Sequence, residues 1–154
     1  MKKVVIGIVI VVIAALIAVG VIFGGNYLRV NKYSNIEAYE IRSDSIPSVA
    51  KIVGTGTLKK ATYTKDRTND YDTLTLTYED SNAKESTSKY IEYLKENDNY
   101  LDVNTDNDNI KKITESSNNS EDVITVETEL TEKGYILKIE VGKGYIMWNN
   151  TDEQ

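Results

Sequence analysis

The sequence contains no cysteine and no histidine. Without cysteine there are no disulfides, no thiolate metal sites and no thiol nucleophile. There is also no cysteine to carry a lipid, so any membrane attachment has to be made by a protein segment. Without histidine, the side chain that most often serves as general base, metal ligand and physiological-pH switch is missing. Ser-His-Asp and His-metal chemistry is excluded; Asp, Glu, Lys and Tyr chemistry is not. Positive charge is scarce as well. Lys plus Arg number 18 against 24 Asp plus Glu, a net charge of −6. Setting Lys2 and Lys3 aside leaves −8 for the rest. Phosphate binding is dominated by Lys and Arg, so this balance argues against nucleic acid and against broad adhesion to an anionic membrane surface.

What the chain does have is one long apolar run. Val4 to Gly25 carries no charge and no strongly polar group. As a helix it would be about 33 Å long, enough for a hydrocarbon core of roughly 30 Å. Lys2 and Lys3 precede it like the n-region of a signal peptide, and Ala18-Val19-Gly20 is a passable cleavage site. The apolar run continues past that site through Val21, Ile22 and Phe23, which favours an uncleaved signal anchor over residues 1–25. Lys2 and Lys3 on one side are nearly balanced by Arg29 and Lys32 on the other, so flanking charge sets the orientation only weakly. The acidic, Thr-, Asn- and Tyr-rich remainder points outward. The expectation is a single-pass protein of the cell membrane, with a cytoplasmic N-terminus and an extracytoplasmic C-terminal domain. Gly20 and Gly24 form a G-x-x-x-G pair, read as background composition of a spanning helix.

Residues 26–44 read as a stalk, with Tyr33, Ile36 and Tyr39 at three-residue spacing and a capping box from Ser34 and Glu37. Residues 45–148 read as the folded domain and 149–154 as a disordered tail. "SIPSVAKIVG" predicts a short helix with Ser45 as cap, Pro47 in the first turn and Gly54 at the exit. Leu74, Leu76 and Tyr78 alternate with threonines, the period of a half-buried strand, and "RTND" joins that strand to the one before it. "NAKESTSKYIEYLKEND" predicts a helix capped by Asn82, with Ala83, Thr87, Tyr90, Ile91 and Leu94 on one face and Asn97 at the exit. Ile124, Val126, Thr128 and Leu130, then Tyr135, Leu137, Ile139 and Val141, mark two more strands joined by "EKG". A last short strand would end at Trp148. The fold class is α+β: an antiparallel sheet of about four to six strands, covered on one face by one long and one short helix, its other face polar.

Three constellations are candidates for chemistry. "NTDNDNIKKITE" has Asn104, Asp106, Asp108 and Glu115 at positions 1, 3, 5 and 12 of a calcium loop. It lacks the glycine at position 6 and the apolar residue at position 8, it carries Lys111 and Lys112, and "SSNNSED" offers no exiting helix. It reads as the link between the long helix and the later strands; a looser surface metal site would draw on Asp102, Asp106 and Asp108. Asp66, Asp70 and Asp72 cluster at a hairpin tip, where aspartate is ordinary turn chemistry and a carboxylate pair could also do acid–base work. Aromatics are 11 Tyr against one Phe and one Trp. Tyr135, Tyr145 and Trp148 could form a stacking platform for a sugar or peptide, or could pack in the sheet.

"IPSVAKIVG", "YDTLTLTYED", "SKYIEYLKEND" and "GYILKIEVGKG" together resemble a pattern in uncharacterised small membrane-anchored proteins of low-GC Gram-positive bacteria. There an Ile/Leu-Pro segment ending in Val-Gly precedes two strands, a helix with Tyr-x-x-x-Leu, and a hairpin with Gly-Tyr. The resemblance implies this architecture and an extracytoplasmic location, and no activity. Type IV pilins share the long apolar N-terminal helix, but the glutamate they carry within it is absent here. The function expected is a membrane-tethered, non-catalytic accessory or binding domain without cofactor, with an envelope protein or glycan as partner. The alternatives are a structural or assembly subunit of an envelope complex, and an enzyme that works with carboxylates.

Overall fold

The computed structural model describes residues 29–118 and 121–144. After a helical segment over 29–34, the chain forms a hairpin of β1 (Ala38–Ile41) and β2 (Asp44–Pro47), then a one-turn helix α1 (Val49–Ile52). A longer hairpin follows, β3 (Thr57–Asp66) and β4 (Tyr71–Glu79), then the helix α2 (Ala83–Asn97). The rest is strand: β5 (Leu101–Val103), β6 (Ile110–Ser116), β7 (Asp122–Thr131) and β8 (Gly134–Lys143). The architecture is α+β. Six strands form one sheet in the order β3-β4-β8-β7-β6-β5, and every neighbouring pair is antiparallel.

Period-two alternation decides which face is the core. Leu74, Leu76 and Tyr78 of β4, Tyr135, Leu137, Ile139 and Val141 of β8, Ile124, Val126 and Thr128 of β7, and Ile113 of β6 are all buried. The other face carries Thr62, Thr64, Thr73, Thr75, Lys138, Glu127 and Lys112, which pair with one another across the strands. Ion pairs lie on that polar face, Lys112–Glu127 between β6 and β7 at 3.6 Å and Lys138–Glu140 along β8 at 2.9 Å, as expected of an antiparallel sheet with one face left to water. The helix α2 buries Thr87, Tyr90, Ile91 and Leu94 of the stripe its spacing predicts, together with Ser86, while Ala83 is half-buried.

The ends of α2 differ from the sequence expectation. Asn82 stands at the N-cap position but makes no side-chain cap bond. Asp80 instead braces the entry from in front of the helix, accepting from the Asn82 N–H at 2.8 Å and from the Ser86 hydroxyl at 2.6 Å. At the other end Asn97 is still helical, and the left-handed residue is Asn99, with φ 58°.

The largest correction concerns the stalk. In its described part, segment 26–44 is packed into the domain: Tyr33, Tyr39 and Ile41 are buried, and β1 pairs with β2 in register. The three-residue spacing of Tyr33, Ile36 and Tyr39 masked a second pattern. Tyr39 and Ile41, then Ile46, alternate with exposed Glu40 and Ser45 across a tight turn. Ser34 makes no capping box; its hydroxyl donates to the Val30 carbonyl at 2.6 Å within the helical segment. Ser45 and Pro47 belong to β2, and Ser48 caps α1 instead, accepting from the Lys51 N–H at 3.2 Å. Ser48 also donates to the Ile36 carbonyl, and its own N–H donates to the Glu37 carbonyl at 3.0 Å.

Among the described residues no helix is long and apolar enough to cross a membrane. The run Val4–Gly25 lies outside them, as do the final strand expected through Trp148 and the tail at 149–154.

Candidate functional site

Functional groups gather at the end of the sheet where β3 ends and β4, β5 and β7 begin. The turn of the β1–β2 hairpin reaches this end and brings Arg42, held at φ 54°. One Arg42 nitrogen donates to the Asp122 carboxylate at 2.7 Å, and another donates to the Asp70 carboxylate at 2.8 Å and to the Asp70 carbonyl at 2.5 Å. Nε approaches Asp72 at 3.4 Å. Asp72 and Asp122 are buried. Asp72 also accepts from the Tyr63 hydroxyl at 2.5 Å and lies 3.5 Å from Lys65. Burial would push the Asp72 carboxyl up, but the Tyr63 hydrogen bond and then the Lys65 and Arg42 charges outweigh it and hold it below the usual range. Tyr63 is raised by burial and by Asp72, so it remains a neutral donor. Asp66 is folded into its own turn. It accepts from the Asn69 side chain at 2.9 Å and from the Asn69 and Thr68 N–H groups, which lowers its carboxyl.

Of the hairpin-tip aspartates, Asp70 and Asp72 are therefore placed together around an arginine, while Asp66 closes its own turn. Arg42 and Asp122 escaped the sequence reading. Their signal was present: Asp72 and Asp122 occupy core-facing positions of strands, in line with Leu74 and Ile124, and a carboxylate there needs a cation or several donors.

Beside this clamp lies a cavity of about 280 Å³ lined by residues that include Asp44, Asp98, Tyr100, Glu115 and Asn118. Asp44 opens β2 and is fully engaged, accepting from the Ser117 hydroxyl at 2.6 Å and the Asn118 N–H at 2.8 Å. Asp98 follows α2, and its Oδ2 is buried with no hydrogen-bond partner among the described residues. Glu115 shares the core-facing side of β6 with Ile113. Burial pushes the Asp98 carboxyl up. Glu115 is pushed up by burial first and then by the charges of Asp98 and Asp44. Tyr100 is raised by burial and by all three carboxylates.

The remaining candidates fall elsewhere. Asp102 pairs with Lys95 of α2, while Asp106 and Asp108 lie in the β5–β6 connection. That connection is closed by its own turn bonds, Thr105 to the Ile110 carbonyl at 2.9 Å and the Asn109 N–H to the Asn107 side chain at 2.9 Å. Lys111, Lys112 and Glu115 of the calcium-like stretch are in β6. Among the described residues no three His, Cys, Asp or Glu side chains are placed to hold a metal ion.

Tyr135 is in the core, its ring stacked on Tyr78 with centroids 5.0 Å apart and planes 14° apart. A ring so placed is closed to a ligand on the surface. Tyr145 and Trp148 lie outside the described residues. The tyrosines of the core work as struts. Tyr39 and Tyr78 share a hydroxyl contact of 3.0 Å, Tyr39 accepts from the Val49 N–H at 3.1 Å, and Tyr90 donates to the Pro47 carbonyl at 2.9 Å. They tie the β1–β2 hairpin and α1 to α2 and the sheet.

Comparison of the chain with protein-family models, curated proteins and solved structures finds no match.

Proposed function

We propose that the chain is a membrane-tethered extracytoplasmic domain that recognises a partner in the cell envelope without catalysing a reaction. The observation that carries this reading is the apolar run Val4–Gly25 leading directly into a packed, acidic α+β domain, whose core already includes Tyr33. A run of that length suits a spanning helix, and the short connection to Tyr33 would hold the domain close to the membrane surface. The hairpin-tip carboxylates, which the sequence offered for acid–base work, are engaged elsewhere. Asp66 closes a turn, and Asp70, Asp72 and Asp122 hold Arg42. The resemblance to small membrane-anchored proteins of Gram-positive bacteria agrees with this location.

Protease treatment of intact cells tests the orientation. With a C-terminal tag on the full chain, the expected result is loss of the tag without lysis. Survival until the cells are opened would reverse the topology and overturn the reading. Exchanging residues 4–25 for an unrelated apolar helix tests the role of the anchor. Partner capture that persists supports a binding domain, and capture that is lost with unchanged membrane insertion supports an assembly subunit instead.

A further inference from the structure

The cavity at the end of the sheet has a chemical peculiarity. Its walls come from four directions: Asp44 from β2, Asp98 from the end of α2, Tyr100 from the approach to β5, and Glu115 from β6. Asn118 and Ile124 add uncharged groups, and no Lys or Arg lines it. The nearby Arg42 is held by Asp70, Asp72 and Asp122. Among the described residues neither Asp44, Asp98 nor Glu115 has an ion-pair partner. Asp44 has taken the hydroxyl and amide donors at this spot, and Asp98 keeps a buried oxygen without one.

Three carboxylates thus line one cavity with no cation among them. Proton uptake from solvent removes one of these mutually repelling charges. We propose that these carboxyls form an acid-operated latch, in which proton uptake by Asp98 or Glu115 tightens the β1–β2 hairpin against the end of the sheet and proton release loosens it. Asp44 is the hairpin's contribution to the latch, and it is adjacent to the turn that carries Arg42. The upward displacement of the Asp98 carboxyl by burial, and of the Glu115 carboxyl by burial and then by the charges of Asp98 and Asp44, has the sign this requires. A group raised in the folded state favours folding most below the ordinary carboxylate range, and that contribution is lost as pH rises through the raised value. The latch stands on these residues alone and does not depend on the membrane tether.

The test uses the full chain in detergent micelles, melted between about pH 7.5 and about pH 5, just above the ordinary carboxylate range, with hydrogen exchange followed at residues 38–47. The upper and lower limits both lie above the sequence pI of about 4.8. Acidification is expected to raise the melting midpoint by roughly 2–6 °C. Protection of the hairpin amides, corrected for intrinsic exchange, should rise several-fold relative to those of β8. Glu115→Gln and Asp98→Asn should each flatten the pH dependence and raise the midpoint at neutral pH. Asp44→Asn is unsuitable as a reporter because it removes an acceptor that holds Ser117 and Asn118. A midpoint that is flat or falls on acidification overturns the proposal. So do variants that retain the parent slope, whatever their absolute stability. A carbon NMR titration in which Glu115 titrates within or below the ordinary carboxylate range would overturn it independently of any variant.

Discussion

At the scale of single residues, two side chains show opposite kinds of polar burial. Tyr135 is fully buried, and its hydroxyl has no partner among the described residues. An orphaned buried hydroxyl costs about 1–3 kcal/mol. Tyr135→Phe keeps the ring on Tyr78 and is expected to be neutral or stabilising by about 1 kcal/mol in urea unfolding. A loss of comparable size would reveal a hydrogen-bond partner. Arg42 is the reverse case, a cation on which two buried carboxylates depend. Arg42→Ala leaves them uncompensated and should cost about 3–5 kcal/mol. Lys at this position would recover little, since a point charge lacks the fork that reaches three aspartates at once. The same cluster has a pH signature. Asp72 is lowered in the folded state, so its contribution is present above the ordinary carboxylate range and is lost as pH falls through the lowered value. Arg42→Ala should therefore also blunt acid unfolding, measured as the midpoint below about pH 4. The role of Arg42 was hidden in the sequence because its partners stand at positions 70, 72 and 122.

At the scale of elements, strand periodicity was the most legible signal and the segment boundaries the least. The alternation along β4 reads correctly as a buried and a wet face, and it supports a paired test. Leu76→Ala should cost about 2–5 kcal/mol, whereas Thr75→Ala, on the polar face, should change stability by at most about 0.5 kcal/mol. The glycine of "EKG" was read as turn chemistry, but β7 and β8 pair through Thr131 and Gly134, so the loop is Glu132–Lys133. Gly134 is needed for a close approach: an added Cβ would stand 2.0 Å from the Tyr78 carbonyl oxygen. Gly134→Ala should thus destabilise by about 1–3 kcal/mol, with shifts in β4 amide resonances rather than in the turn. No local signal marks that crowding, because β4 lies far from β8 in sequence. The β1–β2 hairpin was lost to the stalk reading for a related reason. Its strands are four residues each, too short for alternation to stand out beside the tyrosine spacing that precedes them.

At the scale of the whole molecule, two sets of carboxyls at one end of the sheet act on different pH windows. Asp72 and Asp66 are lowered, and Asp98 and Glu115 are raised. The first set loses its contribution below the ordinary carboxylate range, and the second above it. Stability should therefore peak between the two windows, at mildly acidic pH, and decline towards neutrality and strong acid alike. A melting series from about pH 3 to about pH 8 checks this, and a plateau through neutral pH would contradict it.

Sequence alone determined what lies within reach of one segment. Absent cysteine and histidine removed whole classes of chemistry, the period of two assigned the strand faces, and the three-to-four spacing assigned the buried stripe of α2. These depend on composition and on neighbours within a few residues. Tertiary structure decided the rest. It placed β8 between β4 and β7 and folded the supposed stalk into the core. It also brought Arg42 to three aspartates and set Asp44, Asp98 and Glu115 around one cavity. The physical reason is the same throughout: charge pairing and desolvation act through space, and the chain brings those groups together only by closing its sheet.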